Sequence, residues 1–261
     1  MAISRLILAL PAALLLIAGA VEARAETTAK AAYVVNLGGT IIANAEFTLT
    51  DAGSTYSLSL NAKISGLAQL IASGIARVDS TGTIAGGALH AQTSDLLTRS
   101  GGEDFTVKVR YAGGEVTSFV VNPAIVNNID RVPVERSQLK GVNDFISSFV
   151  LKADKLDKSL CSQKAQIFTG IERFDLVFSY AKDDVATSPR TGYQGPVVLC
   201  KIDYRPISGH YTTSEITNSL AQDDRILIWY APLRDTGYYI PYRVLLSTSM
   251  GDFSMVLTKL G

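Results

Sequence analysis

Over residues 31–50, "AAYVVNLGGTIIANAEFTLT", apolar and polar positions change places at nearly every step on either side of Gly38-Gly39. Alternation around a Gly-Gly pair predicts two strands joined by a tight hairpin turn. "STYSLSLNAKI" (54–64) sets Tyr56, Leu58 and Leu60 on one face and Ser57, Ser59 and Asn61 on the other. "SGIARVDSTGTI" (73–84) and "EDFTVKVRYAGGEVTSFVV" (103–121) continue the pattern, the second folding back at Gly113-Gly114. Further strands are predicted at "RFDLVFSYAK" (173–182), "VVLCKIDYRPISGHY" (197–211), "RILIWYAPL" (225–233), "YYIPYRVLLSTS" (238–249) and "DFSMVLTKL" (252–260). Short strands spaced by roughly ten to twelve residues, with turn residues between, predict a mainly β chain built as an antiparallel sandwich or barrel.

Helical periodicity is scarce. "SGLAQLIASG" (65–74) predicts about one turn carrying Leu67, Leu70 and Ile71. "VNDFISSFVLKA" (142–153) predicts one short helix, capped by Asn143, with Val142, Phe145 and Phe149 on one stripe and Ile146 at its edge. That stripe fits either a helix plugging the open end of a curved sheet or one whose aromatic face receives a ligand.

The first residues bear on the compartment. Arg5 precedes an apolar run from Leu6 to Ala20, interrupted only by Pro11 and Gly19, and Ala23-Arg24-Ala25 follows as a small-residue cleavage site. This is the pattern of a secretory signal peptide cut near Ala25. The run is shorter than the ~20 apolar residues a spanning helix needs. The expectation is export to the periplasm, a signal peptide over 1–25, a single β-rich domain over 26–261, and no transmembrane segment in the mature chain.

Charge then narrows the partners. The whole chain carries 24 basic and 24 acidic residues; without Arg5, Arg24 and Glu22 the balance becomes 22 against 23. A nucleic-acid binder shows a basic excess or a basic stripe, so no nucleic-acid partner is expected. The densest charge cluster, "KADKLDK" (152–158), alternates in sign and reads as a solvated loop or helix end. The two cysteines, Cys161 and Cys200, would meet in an oxidising space and are expected to pair. Closing the 40-residue loop from Cys161 to Cys200 stabilises by roughly 4 kcal/mol in the chain-entropy model.

Catalytic patterns are missing from the sequence. The two histidines, His90 on an expected strand and His210 at an expected surface turn, stand without a second ligand at metal-site spacing. No Gly-x-Ser-x-Gly elbow, Gly-x-Gly-x-x-Gly or Walker loop occurs. Asp183-Asp184 and Asp223-Asp224 are adjacent pairs expected in solvated turns, whereas glycosidase carboxylates must face each other across a cleft. No catalytic residue, metal or cofactor is assigned. What remains is apolar surface: Trp229, Tyr230, Tyr238, Tyr239 and Tyr242 fall close together on neighbouring strands, and with Phe145 and Phe149 form the candidate ligand- or partner-facing set. The alternative is an aromatic core with no guest.

Several stretches together resemble a family of uncharacterised bacterial proteins, the domain of unknown function 3108. They are "YVVNLGGTIIANAEFTL", "KISGLAQLIASGIARVDSTGTI", "GVNDFISSF", "RFDLVFSY", "YQGPVVLCKIDYRPISGHY" and "IPYRVLLSTSMGDFSMVLTKL". The resemblance implies an exported antiparallel sheet that curls into a spiral or incomplete barrel around one short central helix, and brings no activity. The resulting expectation is a non-catalytic envelope protein that binds an apolar ligand (lipid or peptide) or an envelope protein and supports envelope integrity. Two alternatives stand beside it: a solid-core interaction module, and a hydrolase acting on cell-wall or lipid material.

Overall fold

The computed structural model describes residues 26–70, 73–222, 225–248 and 251–261. The expected signal peptide and Asp223-Asp224 lie outside the described residues, as do Ile71 and the side chains of Leu67 and Leu70. One meander runs outward through β1 (Thr27–Leu37), β2 (Thr40–Asp51), β3 (Thr55–Ile64), β4 (Gly74–Ala85), β5 (Ala88–Ser100), β6 (Glu103–Ala112) and β7 (Glu115–Asn122). The chain then crosses through residues 123–163, which contain three 3-10 turns and, as a strand, the short β8 (Leu151–Lys152). A second meander returns through β9 (Lys164–Phe168), β10 (Arg173–Ala186), β11 (Gly195–Ser208), β12 (Ile226–Pro232), β13 (Tyr238–Thr248) and β14 (Gly251–Leu260).

β1 and β14 pair antiparallel, from Ala31 opposite Leu260 to Leu37 opposite Phe253. The two meanders thereby join into one sheet in the order β7-β6-β5-β4-β3-β2-β1-β14-β13-β12-β11-β10-β9, with β8 paired to β13. The expected mainly β, antiparallel curved sheet is present, and its ladder is not closed into a barrel. Among the described residues no helix is long and apolar enough to cross a membrane.

Backbone chemistry explains the outward meander. Gly38 and Gly39 have φ of 55° and 80°, and Gly113 and Gly114 have 59° and 76°. Both positions of a type I′ turn need positive φ, which glycine adopts without a Cβ penalty and which matches the right-handed twist of the flanking strands. The same pairing recurs at Gly86-Gly87 and Gly101-Gly102.

The alternation places Ala45, Phe47 and Leu49 of β2, and Tyr56 and Leu58 of β3, on the buried face. These pack with Tyr33, Ile240, Tyr242 and Leu257 into one apolar cluster that also takes in Ile146 and Val150 of the crossing segment. A second cluster joins Phe174, Leu176 and Phe178 of β10 to Val198, Cys200, Ile202 and Tyr204 of β11. A third lies under β6 and β7, where Val107, Val109, Tyr111 and Val116 cover Leu139, Val142 and Phe168.

The central helix expected over 142–153 is reduced to a single 3-10 turn, Ser147–Phe149. An α-helix does occur, α1 (Glu215–Gln222), but outside the crossing segment. The reason lies on both sides of the turn, where the backbone is drawn into pairing. Asn143 makes a parallel bridge to Ile167 of β9, and Leu151 and Lys152 pair with β13. The predicted cap also shifts by one residue: the Ser147 amide donates to Asp144 Oδ1 at 3.1 Å. The turn predicted within 65–74 is present as a 3-10 turn, Gly66–Leu70.

Candidate functional site

Two hollows lie beside the crossing segment. The larger, about 830 Å3, sits between β5 and β9, and its lining mixes polar side chains, including Asn143, Ser147, Ser148 and Gln166, with apolar ones such as Leu89, Val150 and Leu160. His90, on β5 as expected and exposed, borders it. Asn143 holds this seam together. Its backbone donates to Gln166 O at 2.8 Å and accepts from Phe168 N at 3.1 Å. Its amide side chain accepts from Ala91 N at 2.9 Å and donates to Leu89 O at 2.8 Å. One residue thus bridges the end strand β9 to the stretch of β5 that runs beyond its pairing with β6.

Below Asn143 lies a buried polar knot. Asp144 is fully buried; Ser80 Oγ donates to its Oδ2 at 2.9 Å, and the Ser147 hydroxyl donates to the same oxygen. Tyr56 and Ser80 share a hydrogen bond of 3.3 Å. Burial pushes the Asp144 carboxyl above its usual range, against the pull of the serine donors. A nucleophilic serine needs a base and access to substrate; here Ser80 and Ser147 spend their protons on a carboxylate with no exposed surface. The knot fastens the crossing segment to β4.

The second hollow, about 440 Å3, lies inside the curl of the sheet. Phe47, Ile146 and Ile240 form its buried wall, while half-buried Leu246 and Phe253 and exposed Phe145 stand nearer the surface. The aromatic side chains are mutually braced: Phe145 and Phe149 have ring centroids 5.1 Å apart, Phe145 and Phe174 6.5 Å, and Phe174 and Tyr204 5.2 Å. Glu172 is the one carboxyl on the described lining. It sits on a tight turn ahead of β10, where its backbone N–H donates to Thr169 Oγ1 at 3.0 Å. Burial raises its carboxyl, partly offset by the nearby His210 and Arg131. It also helps to push the Tyr204 phenol, itself desolvated by burial, up to about 12.

The structure separates the aromatic residues singled out from sequence. Phe145 and Phe149 stand on the cavity wall. Trp229 instead donates its indole N–H to Asp184 Oδ2 at 3.1 Å, with the Arg243 guanidinium 5.5 Å from its ring. Tyr230 and Tyr239 belong to the second apolar cluster, and Tyr238 and Tyr242 to the first. Tyr238 donates to Asp51 Oδ2 at 2.9 Å, and Tyr242 to Thr191 Oγ1 at 3.1 Å.

Other residues sit differently from expectation. Asp183 and Asp184 lie within β10, opposite Val198 and Val197, and not in a solvated turn. Neighbours on a strand point to opposite faces, so the two carboxyls do not converge. His210 is half-buried, not at the surface, with Nδ1 sequestered and without a hydrogen-bond partner among the described residues; the preceding Gly209 lies tight against Ile171 and Glu172. Cys161 and Cys200 form the expected disulfide, with Cα atoms 5.3 Å apart, tying the turn Lys158–Cys161 to β11. Among the described residues no group of three His, Cys, Asp or Glu could hold a metal ion. Asn143, Asp144 and Glu172 carry no motif: each acquires its role from partners distant in sequence.

Residues 32–258 match a family model described as "Protein of unknown function (DUF3108)". A crystal structure of a beta-barrel-like protein of domain of unknown function DUF1849 from Brucella abortus superposes with a TM-score of 0.50 at 12% identity. That likeness covers 89% of this chain and 96% of the other, and it concerns the fold alone. No curated protein matches the chain.

Proposed function

The chain belongs to the family described as proteins of unknown function, DUF3108, and from that premise we propose that it is a non-catalytic, exported envelope protein that binds a lipid chain inside its curled sheet. The observation that carries this reading is the hollow of about 440 Å3 bounded by Phe47, Leu60, Phe149, Phe174, Leu246 and Met255. A volume of this order falls in the range of small-molecule sites, roughly 300–1,000 Å3, whose walls are predominantly apolar. An incomplete barrel can leave such space because nothing forces its interior side chains to meet across the axis. The disulfide supports an oxidising compartment, and the N-terminal pattern of charge, apolar run and small residues supports export.

The test is binding of a neutral, environment-sensitive naphthylamine probe to the purified mature protein, followed by displacement with dodecyl amphiphiles. Leu246→Trp, which puts an indole into the outer part of the hollow, is expected to weaken probe binding at least tenfold while leaving the melting temperature within a few degrees of wild type. Undiminished binding in this variant, or no binding by the wild-type protein, would overturn the reading. Native mass spectrometry of protein taken from the periplasm should show an added lipid mass.

A further inference from the structure

The lining of the apolar hollow is unevenly exposed. Phe47, Ile146 and Ile240 at its buried end are 6%, 5% and 1% exposed, whereas Phe145 at the surface is 44% exposed. Glu172, half-buried, stands on the same side of the hollow as Phe145, two residues before Phe174, whose ring centroid is 6.5 Å from that of Phe145. Its carboxyl oxygens make no hydrogen bond or ion pair among the described residues, although its backbone is fixed by the Thr169 hydroxyl and by the close approach of Gly209. The two basic residues nearby, His210 and Arg131, favour its charged form, but neither makes a hydrogen bond or ion pair with it among the described residues. Arg131 directs Nε to Gly209 O at 2.7 Å, Nη2 to Ile171 O at 3.0 Å and Nη1 toward Asn128 Oδ1 at 3.5 Å, and so is turned to other acceptors.

An acceptor held without a donor at the outer end of a greasy slot has a definite chemical complement. We infer, resting on the reading of the hollow as a lipid site, that Glu172 receives the polar head of a single-chain amphiphile whose head group donates N–H or O–H. The tail lies against Phe47, Ile146 and Ile240, and the head stays at the half-buried end. A carboxylate head would bring two like charges together in a desolvated place and could sit there only by taking up a proton between the two carboxyls, which costs affinity at neutral pH. An ammonium or hydroxyl head supplies the missing donor, and a charge-assisted hydrogen bond is the stronger kind. The site therefore selects against fatty-acid anions.

The head-group preference is measured at neutral pH by displacing the naphthylamine probe with dodecylamine, dodecanol and dodecanoate. For the wild-type protein, the amine and the alcohol are expected to displace at concentrations at least tenfold below the carboxylate. Glu172→Gln keeps the shape and removes the charge, and should bring the amine and carboxylate within about threefold of each other. Glu172→Lys should reverse the order in favour of dodecanoate. If wild type and Glu172→Gln show the same order and ratios, the head-group assignment is wrong while the cavity stands. If no amphiphile displaces the probe from any variant, both assignments fall. Because the Glu172 carboxyl makes no hydrogen bond or ion pair among the described residues, these substitutions are expected to leave folding intact, which circular dichroism of each variant checks.

Discussion

Asp51 shows how a single side chain couples this fold to pH. It is 6% exposed on β2; its Oδ1 accepts from Gly53 N at 2.6 Å, and its Oδ2 from the Tyr238 hydroxyl at 2.9 Å and Lys152 Nζ at 3.1 Å. Burial alone would raise its pKa, but the Gly53 amide, the Tyr238 hydroxyl and the Lys152 ammonium outweigh it and hold the carboxyl below its usual value. A carboxyl whose folded pKa is lowered contributes stability that is present above the unfolded pKa, about 3.9, and lost as pH falls through the folded value. Asp51→Asn should therefore lower stability at pH 7 by roughly 1–3 kcal/mol. Below about pH 4 the difference from wild type should shrink, because the wild-type carboxyl takes up its proton there. Urea denaturation across that range checks both limbs; a difference that stays constant with pH would contradict the linkage. Asp144 has the opposite sign: its raised carboxyl costs stability as pH rises through the folded pKa, so acidification relieves this one group.

At the scale of elements, the crossing segment 123–163 holds little regular structure yet is tied into the fold at several points. It carries Ile146 and Val150 into the main apolar cluster and ends at Cys161, bonded to Cys200 of β11. The disulfide anchors the end of this segment to the returning meander, in a cluster where Cys161 and Cys200 are 2% and 0% exposed. Cys161→Ser and Cys200→Ser should each lower stability by a similar amount, up to roughly 4 kcal/mol. The double variant should be no worse than either single one, since the same bond is lost in all three. Additive losses in thermal melts would show that the thiols act separately.

At the scale of the whole molecule, the question is how an open sheet keeps its curl. Edge strands present unpaired backbone groups and invite other chains. Here the gap between β5 and β9 is spanned by Asn143. Nearby, the Tyr111 hydroxyl donates to Phe168 O at 2.8 Å, and the Phe119 and Phe168 rings meet edge-on at 5.1 Å. Gly170 passes so close to β6 that a Cβ there would stand 2.3 Å from Val107 Cγ1. Asn143→Ala removes both side-chain bonds to β5 and should cost roughly 1–3 kcal/mol. Hydrogen exchange should show the Ala91 amide opening with it, ahead of amides in β10 and β11. Unchanged protection at Ala91 would mean that the seam is held by the apolar packing alone.

The sequence by itself determined the strands, the sharpest turns and the sulfur pairing. These are near-neighbour properties: side chains alternate with period two, consecutive glycines reach the positive φ of a type I′ turn, and an even pair of cysteines oxidises when brought together. Where sequence reading placed elements wrongly, a longer-range competitor prevailed. A helix-like stripe at 142–153 lost to strand pairing on both flanks, and Asp183-Asp184 was drawn into β10 by the neighbouring β11. The order of wrapping, the hollow and its unpartnered carboxyl were decided only by tertiary structure. Asn143 meets Ala91 and Leu89 from 52 and 54 residues away, and Trp229 meets Asp184 across 45. Contacts at that separation form only after the chain has chosen its curvature, so no local pattern of residues encodes them.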